Sequence, residues 1–152
     1  MNFRRATNKD TDLVRNIIFK ILHEYELKTD TQKTDSDISD IDANYNNNKG
    51  IFELLEDDFG NALATVGLFN IDNETCELRK MYLVKSRRGK GYGKLLLSHA
   101  LENAKELGYK KVVLETASVL KEAIGLYKSF GFKPYCTPHL SDRCDKAYYL
   151  DL

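Results

Sequence analysis

The chain has 152 residues, 42% of them hydrophobic, and its 23 Lys and Arg balance 23 Asp and Glu. That length suits one ordinary domain able to bury a full core without disulfide or metal, so residues 1–152 are expected to form a single domain. Zero net charge gives no reason to expect nucleic acid or an anionic membrane as partner, and no apolar run approaches the roughly eighteen residues of a membrane span. Cys76, Cys136 and Cys144 are odd in number and lack metal-ligand spacing. They point to reduced thiols, no metal, and a soluble cytoplasmic protein without a processed leader.

Asn2 to Ala6 reads as a short edge strand, and Thr7 with Asp10 offers a cap and an acidic first turn. Val14, Ile17, Ile18, Ile21, Leu22 and Tyr25 recur at three- and four-residue steps, which predicts an amphipathic helix. Residues 29 to 50 turn polar and read as a solvated connection, although Ile38, Ile41 and Tyr45 are spaced to share one face of a short helix. Ile51 to Glu56, Ala62 to Phe69 and Cys76 to Val84, separated by turn-forming residues, predict three consecutive antiparallel strands. A helix follows, with Leu96, Leu97, Ala100, Leu101, Ala104 and Leu107 inward and Gly108 at its end. Val112 to Leu114 reads as a strand covered on both faces. Ser118 is placed to cap a last helix that Gly131 ends, and Ala147 to Leu150 reads as a final strand.

Three alternate glycines stand where the third of those antiparallel strands passes into a helix, in Arg87-Arg88-Gly89-Lys90-Gly91-Tyr92-Gly93-Lys94. Glycine at a helix start is worse than alanine by about 0.5 to 1 kcal/mol, so a cluster of three implies another constraint. Absent Cβ atoms let several N–H groups converge on an anion, and the helix dipole and four basic side chains add positive potential. A phosphate-bearing ligand is expected. The P-loop pattern fails, because only three residues separate Gly89 from Gly93-Lys94 and Leu95 supplies no hydroxyl for magnesium. The dinucleotide fingerprint fails too, because the glycines alternate and follow several strands.

What remains, Arg88-x-x-Gly91-x-Gly93, resembles the loop with which the GNAT (GCN5-related N-acetyltransferase) superfamily grips the pyrophosphate of acetyl-CoA. A second segment, Ala123-Ile124-Gly125-Leu126-Tyr127-Lys128-Ser129-Phe130-Gly131-Phe132, resembles that family's Ala-x-x-Leu-Tyr-x-x-x-Gly-Phe pattern. The two occur in the family's order, and the likeness spans essentially the whole chain.

The resemblance implies an α+β fold: a mixed, mostly antiparallel sheet of six or seven strands with about four helices. The strand before the glycine loop and the one after its helix would splay to admit pantetheine. It implies an acetyl-CoA-dependent transferase, without metal, that acetylates a primary amine of a small molecule or peptide in a ternary complex. Arg88, Gly89, Lys90, Gly91, Tyr92, Gly93, Lys94 and Thr116 would bind the cofactor, and main-chain donors at Met81, Tyr82 and Leu83 would meet the acetyl group. Tyr127 matches the family's general acid, although its helical spacing also suits a core aromatic. Glu77 would deprotonate the amine, or else form a surface pair with Arg79. Many members carry Asn where this chain has Leu120; a subgroup has an apolar residue there, and Leu114-Glu115-Thr116 and Arg143-Cys144-Asp145 resemble it. The aspartates between 30 and 42 would favour a cationic acceptor if they border its pocket. His23, His99 and His139 read as surface residues. A CoA-binding sensor without turnover is the alternative, and homodimerisation is left open.

Overall fold

The computed structural model describes residues 1–152, whose strands form one seven-stranded sheet in the order β1-β2-β3-β4-β5-β7-β6. β1 (Asn2–Arg5), β2 (Ile51–Glu56), β3 (Ala62–Asn70) and β4 (Thr75–Leu83) form an antiparallel run. β5 (Lys111–Thr116) lies parallel to β4. β7 (Lys146–Asp151) returns antiparallel between β5 and β6 (Lys133–Pro134), a two-residue strand that periodicity does not reveal. The hairpin turns are set by aspartates: Asp57 accepts from the N–H of Phe59 and Asn61 at 2.9 Å each. Asp72 does the same for Glu74 and Thr75 at 2.8 Å each.

The helices are α1 (Thr11–Glu24), α2 (Tyr92–Glu106) and α3 (Lys121–Ser129). Thr7 and Asp10 form a capping box on the 3₁₀ turn leading into α1. Arg4 clasps Asp10 at 3.1 and 3.0 Å, tying that turn to β1. α1 buries Val14, Ile18, Ile21 and Leu22, whereas α2 and α3 cover the opposite face of the sheet around Leu96, Leu97, Leu114, Tyr127 and Phe132.

Residues 29 to 50 are not a solvated connection. They fold into a 3₁₀ turn at Ser36–Ser39 and a π turn at Asp42–Asn46. Ile38, Ile41 and Tyr45 are each fully buried with Val14, Ile18 and Phe52 in a second core. Three apolar side chains on one face suffice to anchor the segment because its polar groups find partners: Asn46 donates to the Ala6 carbonyl at 2.7 Å and accepts from the Phe52 N–H at 3.2 Å.

Other local expectations also shift. Ser118 does not cap α3, whose N-cap is Leu120; its N–H and hydroxyl go to Asp145 at 2.7 and 2.6 Å. Val112 and Leu114 are buried but Val113 is half-exposed, because α1 packs on β3 and β4, short of β5. Leu107 is 43% exposed, just past the end of α2. His99 is not a free surface residue: it lies 2.6 Å from Glu53 and stacks on Phe3 at 3.6 Å.

Candidate active site

β4 and β5 pair through only three residue pairs, ending at Glu77 with Val113. Beyond that point the strands part, and the main-chain groups of β4 that face the gap have no ladder partner. Opposite β3, the register of β4 slips between Thr65 and Gly67. Lys80 lies in that bulge with φ +54°, and its carbonyl accepts the Thr65 hydroxyl at 2.6 Å. A left-handed lysine is disfavoured by about 1 to 2 kcal/mol, so the surrounding pairs must hold it there. A bulge bends the strand and re-aims its groups, and this one lies where β4 has already left β5.

The gap is a cleft of about 600 Å³. Glu77 to Leu83 line one side, Glu115 to Ala117 with Leu126 and Tyr127 another, and the glycine loop contributes Arg88, Gly89, Gly91, Gly93 and Lys94. Gly91 is the N-cap of α2 with φ +87°, which a side chain would resist even though there is space for one. At Gly93 a Cβ would come into van der Waals contact with the Leu126 side chain of α3 at 3.4 Å, so space alone does not demand glycine there. The first N–H groups of α2 therefore stand at the cleft without intrahelical partners, as an anion site requires. Arg88 supports the loop from behind, donating to the Leu83 carbonyl at 3.0 Å and to Glu24 at 2.9 Å. Lys90 and Tyr92, expected with the cofactor residues, do not line the cleft; Tyr92 packs against the core beneath α2.

Of the candidate proton-transfer residues, Tyr127 is buried to 6% exposure and lines the cleft. Burial, then the neighbouring Tyr82 and Cys144, push its phenol well above the ordinary value, and no hydrogen bond pulls it back. Its ring also packs on Phe132 at 5.7 Å between centroids, so it serves the core as well as the cleft. Glu77 is paired with Arg79 but is not a surface residue: it is 9% exposed. Burial raises its carboxyl above the usual range, Arg79 opposes the rise, and Glu115 adds to it. Arg79 is fixed by stacking over the Phe69 ring at 3.7 Å. Thr116 is buried at the cleft, and its carbonyl accepts the Asp145 N–H at 3.1 Å.

One expectation changes here. No aspartate between 30 and 42 lines the cleft. Asp35 is enclosed by Arg143 and Lys80, while Asp37 takes the Tyr45 hydroxyl and lies 3.4 Å from Lys80. Lys80 and Glu115 are cleft-lining charges that sequence reasoning does not single out, and Asp35 takes a place other than the one expected. The available signal was the packed spacing of Ile38, Ile41 and Tyr45, which obliges nearby aspartates to be paired rather than solvated.

A family model described as acetyltransferase (GNAT) family matches residues 15–132. The chain is 33% identical over 147 residues to the uncharacterized N-acetyltransferase YjgM of Escherichia coli (strain K12), spanning 90% of this chain and 87% of that one. It superposes on an acetyltransferase of GNAT family from Staphylococcus aureus Mu50 with TM-score 0.91 and 25% identity, covering 99% and 98% of the two chains. The spermidine N-acetyltransferase of Vibrio cholerae, solved in complex with CoA and spermine, shares the fold at TM-score 0.71 and 18% identity, over 99% of this chain and 94% of that one. A sheet that parts between two parallel strands beside a glycine-capped helix, with a family match over most of its length, makes this chain a member of the acetyltransferase (GNAT) family of N-acetyltransferases.

Proposed function

We propose that residues 1–152 act as one cytoplasmic domain that moves the acetyl group of acetyl-CoA to a primary amine of a small molecule or peptide. The observation that carries this reading is the cleft itself, in which the glycine-capped start of α2, the parted edge of β4, Glu77 and Tyr127 all meet. In this reading the cofactor supplies a thioester, and the remaining work falls to the protein. The N–H groups that open α2 hold pyrophosphate, with Lys94 adding charge. Main-chain donors among Met81, Tyr82 and Leu83 face the carbonyl oxygen as it gains negative charge. Glu77, whose raised carboxyl makes it a stronger base than a solvated glutamate, takes a proton from the amine. The new C–N bond forms as the C–S bond breaks, and Tyr127 gives its phenolic proton to the departing thiolate. A thiol at about 8.5 leaves readily even unaided, so Tyr127 assists without being indispensable.

The test is calorimetric titration with acetyl-CoA, CoA and ATP, followed by thiol-release assays with L-methionine, spermidine and trialanine. Selective binding of the two CoA ligands and amine-dependent thiol release are expected. Selective binding of ATP would withdraw the assignment, and CoA binding without turnover of any amine would turn the protein into a sensor.

A further inference from the structure

The backbone leaves β4 and β5 apart beyond Glu77 and Val113, but side chains join them again. Lys80 of β4 donates to the Thr34 carbonyl at 2.8 Å and pairs with Asp35 at 3.0 Å. Asp35 in turn accepts both terminal nitrogens of Arg143, each at 2.8 Å. Arg143 reaches further, to the Lys28 carbonyl at 3.1 Å. Two residues on, the Asp145 N–H is bound to the carbonyl of Thr116 at the end of β5. A circuit therefore runs from β4 through Lys80, Asp35, Arg143 and Asp145 to β5, across the gap that the sheet leaves open.

The circuit is nearly dry. The side chains of Lys80, Asp35 and Arg143 are 5%, 0% and 8% exposed. Burying such a cluster is a poor way to gain stability, because desolvation offsets most of the attraction and apolar residues of similar volume often do as well. What paired charges do supply is a defined geometry, and the two-pronged contact of Arg143 with Asp35 is the most directional of those available. Its two sides also carry cleft-lining residues: Lys33 and Thr34 on one, Ser141, Arg143 and Cys144 on the other. Given the acetyl-transfer reading above, on which this inference rests, the glycine loop takes the cofactor and this braced wall faces the acceptor.

We propose that Arg143 is a positioning residue for the acceptor amine. By pinning residues 28 to 35 through Asp35, it sets the shape of the acceptor half of the cleft while touching neither the acetyl group nor the pyrophosphate. Asp35 keeps Lys80 as partner when Arg143 is removed, so Arg143→Gln leaves no carboxylate buried alone and should fold. Arg143→Lys keeps one charged contact and serves as the conservative rescue.

Three readouts test this, using the amine among L-methionine, spermidine and trialanine that the wild type turns over fastest. For Arg143→Gln, amide hydrogen exchange across residues 28 to 36 rises on the order of tenfold. The amine KM rises roughly ten- to a hundredfold, and calorimetric affinity for acetyl-CoA stays within about twofold. Arg143→Lys recovers part of the amine KM. Unchanged exchange would show that Arg143 does not hold the segment, and an equal loss of acetyl-CoA affinity would show that it acts on the whole cleft; either overturns the proposal. Loosened amides with an unchanged amine KM overturn it as well, leaving a purely structural role. A wild type that binds acetyl-CoA but acetylates none of the amines overturns the acetyl-transfer reading and this inference together. Normal wild-type turnover with an unaltered variant overturns the inference alone.

Discussion

The two ends of the cleft are built by different means. At the glycine loop the wall is main chain: a left-handed Gly91 and the start of α2. At the other end the wall is made of charged side chains, with Arg143 meeting Asp35 across 108 positions of sequence. The first kind of wall depends on backbone conformation and hardly on pH. The second kind depends on ionisation and on partners brought together only by the complete fold. The difference teaches where each can be damaged: one by a Cβ atom, the other by a proton.

The largest effects are expected from residues that belong to neither wall but stand between them. Tyr127→Phe should lower the rate on the order of 10- to 1000-fold with little change in acetyl-CoA affinity; an unchanged rate removes Tyr127 from the mechanism. Glu77→Gln should cost a similar factor and also reshape the pH dependence. A base must be ionised, so wild-type activity should fall as pH drops through the raised carboxyl of Glu77. The variant should lack that limb, and a profile identical to the wild type would exclude Glu77 as base.

Acid should strike the charged wall next. Burial pushes the Asp35 carboxyl up, but the Arg143 hydrogen bonds, Lys80 and the Asp30 N–H outweigh it and bring it down to about 2. A carboxyl lowered on folding adds stability above its unfolded value of about 4 and loses it as pH falls toward the folded one. The contribution is about 2 kcal/mol, lost between pH ~4 and pH ~2. Denaturant unfolding across that window should reveal the loss in the wild type and a smaller one in Arg143→Gln. Equal acid sensitivity of the two proteins would break the contrast.

The backbone wall should respond to Gly91→Ala instead. Forcing alanine to φ +87° costs about 1 to 2 kcal/mol, and acetyl-CoA affinity should fall by about tenfold as the N–H groups move, at any pH between 6 and 9. Gly125 in α3 is the control: it has open space around it and needs no left-handed conformation. Gly125→Ala should raise stability by about 0.5 to 1 kcal/mol in thermal unfolding and leave affinity alone.

How much of this is legible in sequence follows from the same division. The glycine loop, the helix stripes and the strand sequence rest on local spacing, so they can be read along the chain, and the likeness to a known family extends that reading to the parted strands. Even there, residue roles within the loop blur: Lys90 and Tyr92 share its spacing, yet neither is among the residues that line the cleft. The segment from 29 to 50 misleads for the opposite reason. Its composition is that of a solvated linker, and its order rests on three apolar side chains and on partners such as Lys80 and Arg143, 45 to 108 residues distant from Asp35. Ser118 shows the same on a small scale, because its helix-cap chemistry is satisfied by Asp145 rather than by α3.

The short ladder between β4 and β5 has a consequence for how the molecule melts. Three residue pairs make a narrow seam between a half-sheet of four strands and another of three. That ladder is the weakest main-chain link between the halves, which the shared core under α2 and α3 and the Lys80–Asp35–Arg143 circuit hold together. A cofactor lying along the parted strands would weld them, and mass action alone makes a ligand at a hundred times its dissociation constant worth about 2.7 kcal/mol. Binding would raise the melting transition, and the width of the calorimetric peak with and without cofactor reports how firmly the core and the circuit already join the halves.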